Sequence, residues 1–332
     1  MSDHSTSSPI STEILAELHQ HLPSLNFDPG TDATSEQVAL AQEYLRYYNL
    51  RPEDVHPQVQ HYLGTTNVSM ASGERFTVVC HYWLHPEAKG TTFVVHGYFD
   101  HVGLYGHLIK DLLERGSNVV TFDLPGHGIS SGERATIASF DHYVEVLDAV
   151  CQLAKTHFPK PWRAIGQSTG GSIVLKHILE AGSRGQSSVF DQAILLAPLV
   201  RPRFWRFNGW VYLLTRRFLQ RIDRVFVPNS GNRDFVEFIK AKDPLQARHL
   251  SLEWVGAMKR WIARFTELPE SDFPITIIQG DRDATVDWKG NLDLLRDKFP
   301  NSRVHMLSGA QHHLVNETKK IRGKIFALIA RY

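Results

Sequence analysis

The chain has 332 residues, of which 42% are hydrophobic and 21% charged, a composition typical of a globular protein with a large buried core. The net charge of +1 gives no overall attraction to nucleic acid, so nucleic acid is not expected as a partner. No basic and apolar leader opens the sequence, and no apolar run approaches the length of a membrane span, so we expect a cytoplasmic protein.

The N-terminal part of the chain shows the least regular spacing of apolar residues. Residues 1–32 are polar and predict a loosely ordered segment, whereas apolar side chains recur at helical spacing over 36–50 and predict an amphipathic helix. Strand-forming residues over 76–84 predict an early strand of a sheet. Strands and helices then alternate, with strands over 92–95, 118–122, 162–165 and 193–197 and helices over 104–113, 140–158 and 171–179. This alternation of helices with nearly continuous apolar strands predicts a parallel sheet covered on both faces.

The alternation is interrupted after Pro198. It resumes with a strand over 275–278, a helix over 291–298, a strand over 303–307 and a helix over 318–330. Residues 200–262, hereafter called the insertion, instead combine a helical pattern with many arginines and aromatic side chains. Between Arg201 and Lys242 there are ten lysines and arginines and three acidic residues, which give a net charge of about +7. The insertion is therefore a strongly basic part of a nearly neutral chain.

The most informative motif is Gly-Gln-Ser-Thr-Gly at residues 166–170, between a predicted strand and a predicted helix. A serine at such a turn has a cramped backbone, so its neighbours must lack side chains. Its hydroxyl stands clear of the sheet at a helix N-terminus, where the helix dipole favours developing negative charge. The pattern also occurs by chance, but the strand and helix on the correct sides favour Ser168 as a nucleophile.

A serine hydroxyl is a poor nucleophile at neutral pH and needs a base, usually a histidine that a carboxylate orients. In a parallel sheet, such partners lie in the loops beyond the carboxyl ends of strands. Two downstream strands end in suitable loops, one with Asp281 and Asp283 and one with His312 and His313. The residues alone leave both pairs of candidates open.

Together these pieces resemble the α/β-hydrolase superfamily, in its branch of monoacylglycerol lipases and bacterial lysophospholipases, which overlaps serine-aminopeptidase-like domains. The resemblance covers about residues 75–332. It rests on His-Gly at 96–97, the motif at 166–170, Gly-x-x-Asp at 280–283, Gly-Ala-x-His at 309–312 and a glycine-rich loop at 123–130. It implies an α/β-hydrolase fold, with a mostly parallel sheet, helices on both faces and a helical lid inserted after the sixth strand. The implied divisions are an N-terminal extension with one helix over 1–65, a core over 66–199 and 263–332, and the insertion as lid.

The resemblance also implies a catalytic triad. The family places the acid three residues after a glycine, which selects Asp283, and the base at the end of Gly-Ala-x-His, which selects His312 to serve Ser168. Asp281 is then expected as a turn residue, and His313 remains the competitor for the base.

The implied oxyanion hole consists of two backbone amides, those of Thr169 and Tyr98. Relatives often carry a small residue where this chain has Tyr98, so the bulky pair of Tyr98 and Phe99 is expected to shape the substrate pocket. Three further histidines near these loops, at positions 96, 101 and 127, are expected to brace the loops by hydrogen bonds.

The activity implied by the resemblance is the hydrolysis of carboxylic esters with an acyl chain, of monoacylglycerol or lysophospholipid type, through an acyl-enzyme. No metal or other cofactor is expected, because the histidines are scattered and Cys80 and Cys151 do not form a ligand pair. One alternative is an aminopeptidase-like peptidase, which would need an acidic site for a substrate amine and fits a basic insertion poorly. Another is a ligand-binding member of the fold without turnover.

The basic insertion has two interpretations. It can be a solvated surface whose aromatic side chains face the core. It can instead be a lid that recognises an anionic head group, with Arg216 and Arg217 as candidate substrate contacts, or that docks on phospholipid at the inner face of the membrane.

Overall fold

The computed structural model of the protein describes residues 10–25, 35–51, 58–205 and 218–332. Its strands are β1 Gln60–Ser69, β2 Arg75–Leu84, β3 Thr91–Val95, β4 Asn118–Phe122, β5 Trp162–Gln167, β6 Gln192–Leu196, β7 Arg221–Asp223, β8 His249–Ser251, β9 Ile275–Gly280 and β10 Arg303–Leu307. All but β7 and β8 form one sheet of eight strands in the order β1-β2-β4-β3-β5-β6-β9-β10. The pairs β1–β2 and β2–β4 are antiparallel, and the other pairs are parallel.

Helices cover both faces of this sheet, as the sequence predicts. They are α1 Thr12–His21, α2 Ser35–Tyr47, α3 Gly106–Glu114, α4 Phe140–Ala154, α5 Thr169–Ser183, α6 Arg233–Glu237, α7 Leu252–Glu267, α8 Trp288–Lys298 and α9 Lys319–Ile329. Successive strand residues point to opposite faces, so Val120 of β4 packs with α4 and α5 whereas Val119 packs with α3 and α9. All five residues of β4 are buried, which explains why strands of this sheet are apolar without alternation.

The N-terminal part is more ordered than its composition predicts. The prediction of a loosely ordered segment over 1–32 is wrong for α1, which Ser11 caps by accepting the N–H of Ile14 and which buries Leu15 and Leu18. Strand β1 was not predicted either. A Cβ at Gly64 of β1 would lie 2.9 Å from the Cα of Leu25, so the chain that follows α1 passes directly over this strand.

The insertion contains helix α6, which continues into a π-helical turn over Phe238–Lys242, and most of helix α7. It also contains a two-stranded ribbon that its helical pattern does not predict. In this ribbon β7 pairs antiparallel with β8. Arg216 and Arg217 lie outside the described residues. Within the described ranges, no helix is both long and apolar enough to span a membrane.

Candidate active site

The turn between β5 and α5 carries Ser168 in an unusual backbone conformation, with φ of 53° and ψ of −112°. A positive φ is rare for residues other than glycine and signals a strained turn. The flanking glycines are required by close approach: a Cβ at Gly166 would lie 2.6 Å from the carbonyl carbon of Gly170, and one at Gly170 would lie 2.0 Å from the carbonyl oxygen of Val95. The motif at 166–170 therefore has the geometry that the sequence predicts for a nucleophile.

Two hydrogen bonds connect the three residues predicted as the triad. The Nε2 atom of His312 lies 2.9 Å from the Oγ atom of Ser168, and its Nδ1 atom lies 2.7 Å from the Oδ2 atom of Asp283. All three side chains are buried. Because Nδ1 faces a carboxylate, we assign the ring proton to Nδ1, which donates a hydrogen bond to Asp283, so that Nε2 accepts a hydrogen bond from the serine hydroxyl.

The carboxylate of Asp283 is held by its own loop. Its Oδ1 atom accepts the backbone N–H groups of Thr285 at 2.8 Å and of Val286 at 3.2 Å, and its Oδ2 atom accepts the side-chain amide of Gln279 at 3.1 Å. Asp281 instead accepts the N–H of Gly309 at 2.7 Å and so joins the two loops that follow β9 and β10. The structure thus brings Asp283, rather than Asp281, to the candidate base.

Burial and charge shift the pKa values of Asp283 and His312 in opposite directions. Burial acts to raise the pKa of Asp283. The charge of His312 and the hydrogen bonds that the Asp283 carboxylate accepts outweigh burial, so the pKa of Asp283 lies below the ordinary value. Burial likewise acts to lower the pKa of His312, but the charge and hydrogen bond of Asp283 outweigh it and leave that pKa above the ordinary value. The pair therefore favours an ionised Asp283 and a more basic imidazole.

His313, the competing candidate for the base, has other contacts. Its Nε2 atom lies 3.3 Å from the Oδ1 atom of Asp100, and its ring lies 4.6 Å from the ring of Phe235. Its backbone N–H donates to the carbonyl of Asn229 at 2.8 Å. The structure therefore brings His312, and not His313, to Ser168.

The predicted oxyanion donors belong to two segments next to Ser168. Thr169 is the first residue of α5, and the N–H groups of a first helical turn have no acceptor within the helix. The loop after β3 passes beside the nucleophile, because a Cβ at Gly97 would lie 3.4 Å from the Cβ of Ser168. Tyr98 follows at this point, so its backbone amide comes from the loop that borders the serine.

The side chain of Tyr98 is turned towards the insertion. Its ring stacks on Trp254 of α7 with centroids 3.8 Å apart and planes 18° apart, and its hydroxyl donates to the carbonyl of Ala135 at 2.7 Å. Phe99 next to it has a φ of 69°, a second strained position in the site, and its ring lies 4.1 Å from that of Tyr98. The two bulky residues therefore link the oxyanion loop to the insertion.

Asp100 holds this loop and was not predicted from the sequence. Its Oδ2 atom accepts the N–H of Gly97 at 3.2 Å and the hydroxyl of Tyr105 at 2.8 Å. Burial acts to raise the pKa of Asp100, but the charge and hydrogen bond of His313 outweigh burial and place it well below its usual range. Its position three residues after Gly97 in a tight turn is the local signal that could have identified it.

The three bracing histidines fulfil the expectation from the sequence. His96 accepts the N–H of Leu124 at 2.9 Å, and His127 donates to the carbonyl of Pro125 at 2.9 Å. The third, His101, donates from Nε2 to the Oδ2 atom of Asp243 at 2.9 Å. These bonds fix the loops after β3 and β4 rather than contact the nucleophile.

Asp243 is the centre of a buried cluster that joins three parts of the chain. Besides His101, it accepts the hydroxyl of Tyr48 at 2.8 Å and the side-chain amide of Gln246 at 2.8 Å. Tyr48 follows α2, His101 lies in the loop after β3, and Asp243 and Gln246 lie in the insertion. This cluster therefore fastens the insertion and the N-terminal extension to the loop that borders Ser168.

Comparison with known proteins agrees with this geometry. Residues 86–319 match the family described as "Hydrolase_4: Serine aminopeptidase, S33". The monoglyceride lipase homolog of monkeypox virus is 27% identical over 267 residues, which cover 75% of this chain and 91% of that protein. Phospholipase YtpA of Bacillus subtilis is 31% identical over 250 residues, which cover 72% of this chain and 93% of that protein.

A solved structure shares the fold. The monoacylglycerol lipase of Paleococcus ferrophilus superposes with a TM-score of 0.66 at 21% identity, over 76% of this chain and 97% of that one. The family match covers more than half of the chain and contains Ser168, Asp283 and His312. The chain therefore belongs to the serine aminopeptidase S33 family of α/β-hydrolases, in the branch of the monoacylglycerol lipases.

Proposed function

We propose that the enzyme hydrolyses carboxylic esters of acylated substrates, of monoacylglycerol or lysophospholipid type, through an acyl-enzyme on Ser168. The observation that carries this proposal is the hydrogen-bonded series from Ser168 to His312 at 2.9 Å and from His312 to Asp283 at 2.7 Å. The enzyme is a carboxylic-ester hydrolase, in agreement with relatives described as monoglyceride lipases and as a phospholipase.

In the proposed reaction, His312 accepts the hydroxyl proton of Ser168 at Nε2 while the serine oxygen attacks the ester carbonyl. The negative charge that develops on the carbonyl oxygen is stabilised by the amides of Thr169 and Tyr98. The imidazolium then donates its proton to the departing alcohol, which leaves the acyl group on the serine. A water molecule repeats these steps in reverse order, with His312 again acting as base and then as acid, and releases the carboxylic acid.

The surface of the insertion supports a contact with phospholipid. Several apolar side chains of the insertion are exposed beside its basic residues, namely Phe204, Phe218, Leu219, Ile222, Val225 and Val227. Exposed apolar side chains next to lysines and arginines favour binding to an anionic lipid surface. That Arg216 and Arg217 contact the head group remains a prediction. In this proposal the insertion acts as the lid and docks on the membrane that supplies the substrate.

A substrate panel with a nucleophile variant tests the proposed activity. The panel contains monoacylglycerols and lysophospholipids with matched acyl chains, a short p-nitrophenyl ester and aminoacyl p-nitroanilides. We expect hydrolysis of the esters, labelling of Ser168 by a fluorophosphonate, and a loss of about 10⁴-fold or more in Ser168→Ala. Turnover of the anilides alone would favour the peptidase alternative. Labelling without any turnover would favour a ligand-binding protein, and several per cent of residual activity in Ser168→Ala would exclude the serine mechanism.

A further inference from the structure

An arginine of the insertion lies against the oxyanion loop. The guanidinium of Arg224, which directly follows β7, lies 4.0 Å from the centroid of the Phe99 ring and 4.2 Å from that of Phe226. Phe99 is the residue after Tyr98, whose amide is the proposed oxyanion donor. Arg224 is therefore placed beside the loop that borders Ser168, and two aromatic rings keep its guanidinium there.

Neutral groups hold the Arg224 side chain in place. Its Nη1 atom donates to the side-chain oxygen of Gln246 at 2.8 Å and to the carbonyl of Ala247 at 3.2 Å. Gln246 is in turn fixed by its bond to the buried carboxylate of Asp243. Among the residues that the structure describes, no carboxylate lies within 4.0 Å of the Arg224 guanidinium. The acidic charges that act on Arg224 in the described part of the chain, those of Asp100 and Asp243, therefore do so from beyond ion-pair distance.

Arg224 is also partly removed from water. Burial lowers its pKa to about 10, against the opposing charge of Asp100, and the nearby charge of Arg248 lowers it further. Arg248 lies over the same Phe226 ring at 5.1 Å. At neutral pH Arg224 is therefore charged. A partly desolvated guanidinium next to a second, exposed one favours an anionic ligand, because the carboxylates of Asp100 and Asp243 lie beyond ion-pair distance.

The geometry of the Arg224 guanidinium indicates which class of anion it can bind. The N–H groups of a guanidinium point outward in its own plane, so the Arg224 side chain binds an anion along an edge. Nη1 is occupied, and the edge formed by Nε and Nη2 is left, for which the structure gives no hydrogen bond among the described residues. This edge is a fork of parallel donors that matches two oxygens of a phosphate.

We propose that Arg224, with Arg248 beside it, binds the phosphate of a phosphate-bearing lysolipid and so selects such substrates over neutral monoacylglycerols. This proposal rests on the proposed ester hydrolysis and adds the substrate class. It assigns head-group recognition to a residue fixed at the oxyanion loop. Phe99, predicted to contact substrate, then acts by positioning the guanidinium.

The kinetic test compares two lipids with the same acyl chain, a 1-acyl lysophosphatidic acid and a 1-monoacylglycerol. Arg224→Gln is expected to lower kcat/KM for the lysophosphatidic acid about 10- to 100-fold more than for the monoacylglycerol, mainly through KM, because a charge-assisted hydrogen bond is lost. Arg224→Lys keeps the charge but not the fork and should recover only part of the loss. The matched control is Arg260→Gln, because Arg260 is exposed and donates to the carbonyl of Ala138 rather than lying over Phe99, and it should not change the ratio.

A binding measurement separates this proposal from the proposed hydrolysis. Titration calorimetry on Ser168→Ala protein should detect binding of glycerol 3-phosphate but not of glycerol, and the added change Arg224→Gln should abolish it. Equal losses of kcat/KM on both lipids in Arg224→Gln would overturn the proposal. So would undiminished binding of glycerol 3-phosphate after Arg224→Gln. Turnover of the monoacylglycerol by an enzyme that does not bind glycerol 3-phosphate would overturn it as well. Binding that depends on Arg224 in an enzyme without ester turnover would uphold the phosphate site and reject the proposed hydrolysis.

Discussion

At the scale of single residues, the chemistry of the site depends on the proton of His312. The imidazole can act as base only when Nε2 carries no proton, and Asp283 both orients the ring and stabilises its protonated form. The raised pKa of His312 follows from that carboxylate, because burial alone would lower it. The same contact that makes the imidazole a stronger base therefore also makes it protonate more readily in mild acid.

A pH profile of kcat/KM checks this assignment. Since His312 must be neutral in the free enzyme and its pKa lies above 6.5, activity should rise with pH and reach half its maximum above pH 6.5. Asp283→Asn removes the charge that raises this pKa, so the midpoint should move down and kcat should fall by about 10⁴-fold. The rate of fluorophosphonate labelling gives the midpoint when turnover is too slow.

The matched control for this profile is Asp281→Asn. Asp281 bonds to Gly309 and not to His312, so its loss should leave the midpoint unchanged. A midpoint below pH 6.5 in the unaltered enzyme, or equal shifts in the two variants, would contradict the assignment of Asp283 as the residue that orients the base.

Residues that bond to distant parts of the chain were not predictable. Ser168 stands in a motif of five residues, and the short patterns of the family, Gly-x-x-Asp and Gly-Ala-x-His, select Asp283 and His312. Asp243 has no such signal, because its partner His101 is 142 residues away and only the fold brings the two together. Arg224 is one of many arginines of the insertion, and only its contact with Phe99 distinguishes it.

At the scale of elements, apolar periodicity identifies the core and helix α2, predicted over 36–50, but misses α1 and β1. Strands β4 and β10 have the predicted bounds, because each is a short strand-forming run between turns. Strand β1 contains glycine, threonines and asparagine, and it is stabilised by ten pairings with β2 that local sequence does not show. Helix α1 buries only Leu15 and Leu18, too few apolar side chains for a recognisable helical pattern.

The strand–turn–helix unit β5–α5 makes a prediction at this scale. Gly170→Ala should destabilise the protein by several kcal/mol or prevent folding, because the new Cβ would lie 2.0 Å from the carbonyl oxygen of Val95 and backbone must shift. Gly182→Ala in the same helix meets no atom within 4 Å and should be neutral or stabilise by up to about 1 kcal/mol. Thermal and urea unfolding measure both. Equal stability of the two variants would show that β3 and α5 are not in such close contact.

At the scale of the whole molecule, charge and exposed apolar surface coincide. The net charge of the chain is only +1, yet the insertion is strongly basic. The same segment has exposed apolar side chains, with Phe218 at 83% and Val227 at 63% exposure. An asymmetric distribution of this kind orients a protein on an anionic surface, and the Asp243 cluster connects the insertion to the loop beside Ser168. In the proposed docking, the segment that contacts the lipid is thus the one that the Asp243 cluster fastens to the loop beside Ser168.

Vesicle binding tests this orientation. Ser168→Ala protein should co-sediment with phosphatidylglycerol vesicles more than with phosphatidylcholine vesicles, and binding should weaken with salt, because charge attraction is screened over about 8–10 Å at 0.1–0.15 M. Phe218→Asp combined with Val227→Asp should weaken binding about tenfold or more, since two apolar side chains no longer enter the lipid. Val189→Asp is the control, because Val189 is also exposed but lies outside the insertion. Equal weakening by the control, or binding indifferent to lipid charge and salt, would leave the insertion as a solvated surface.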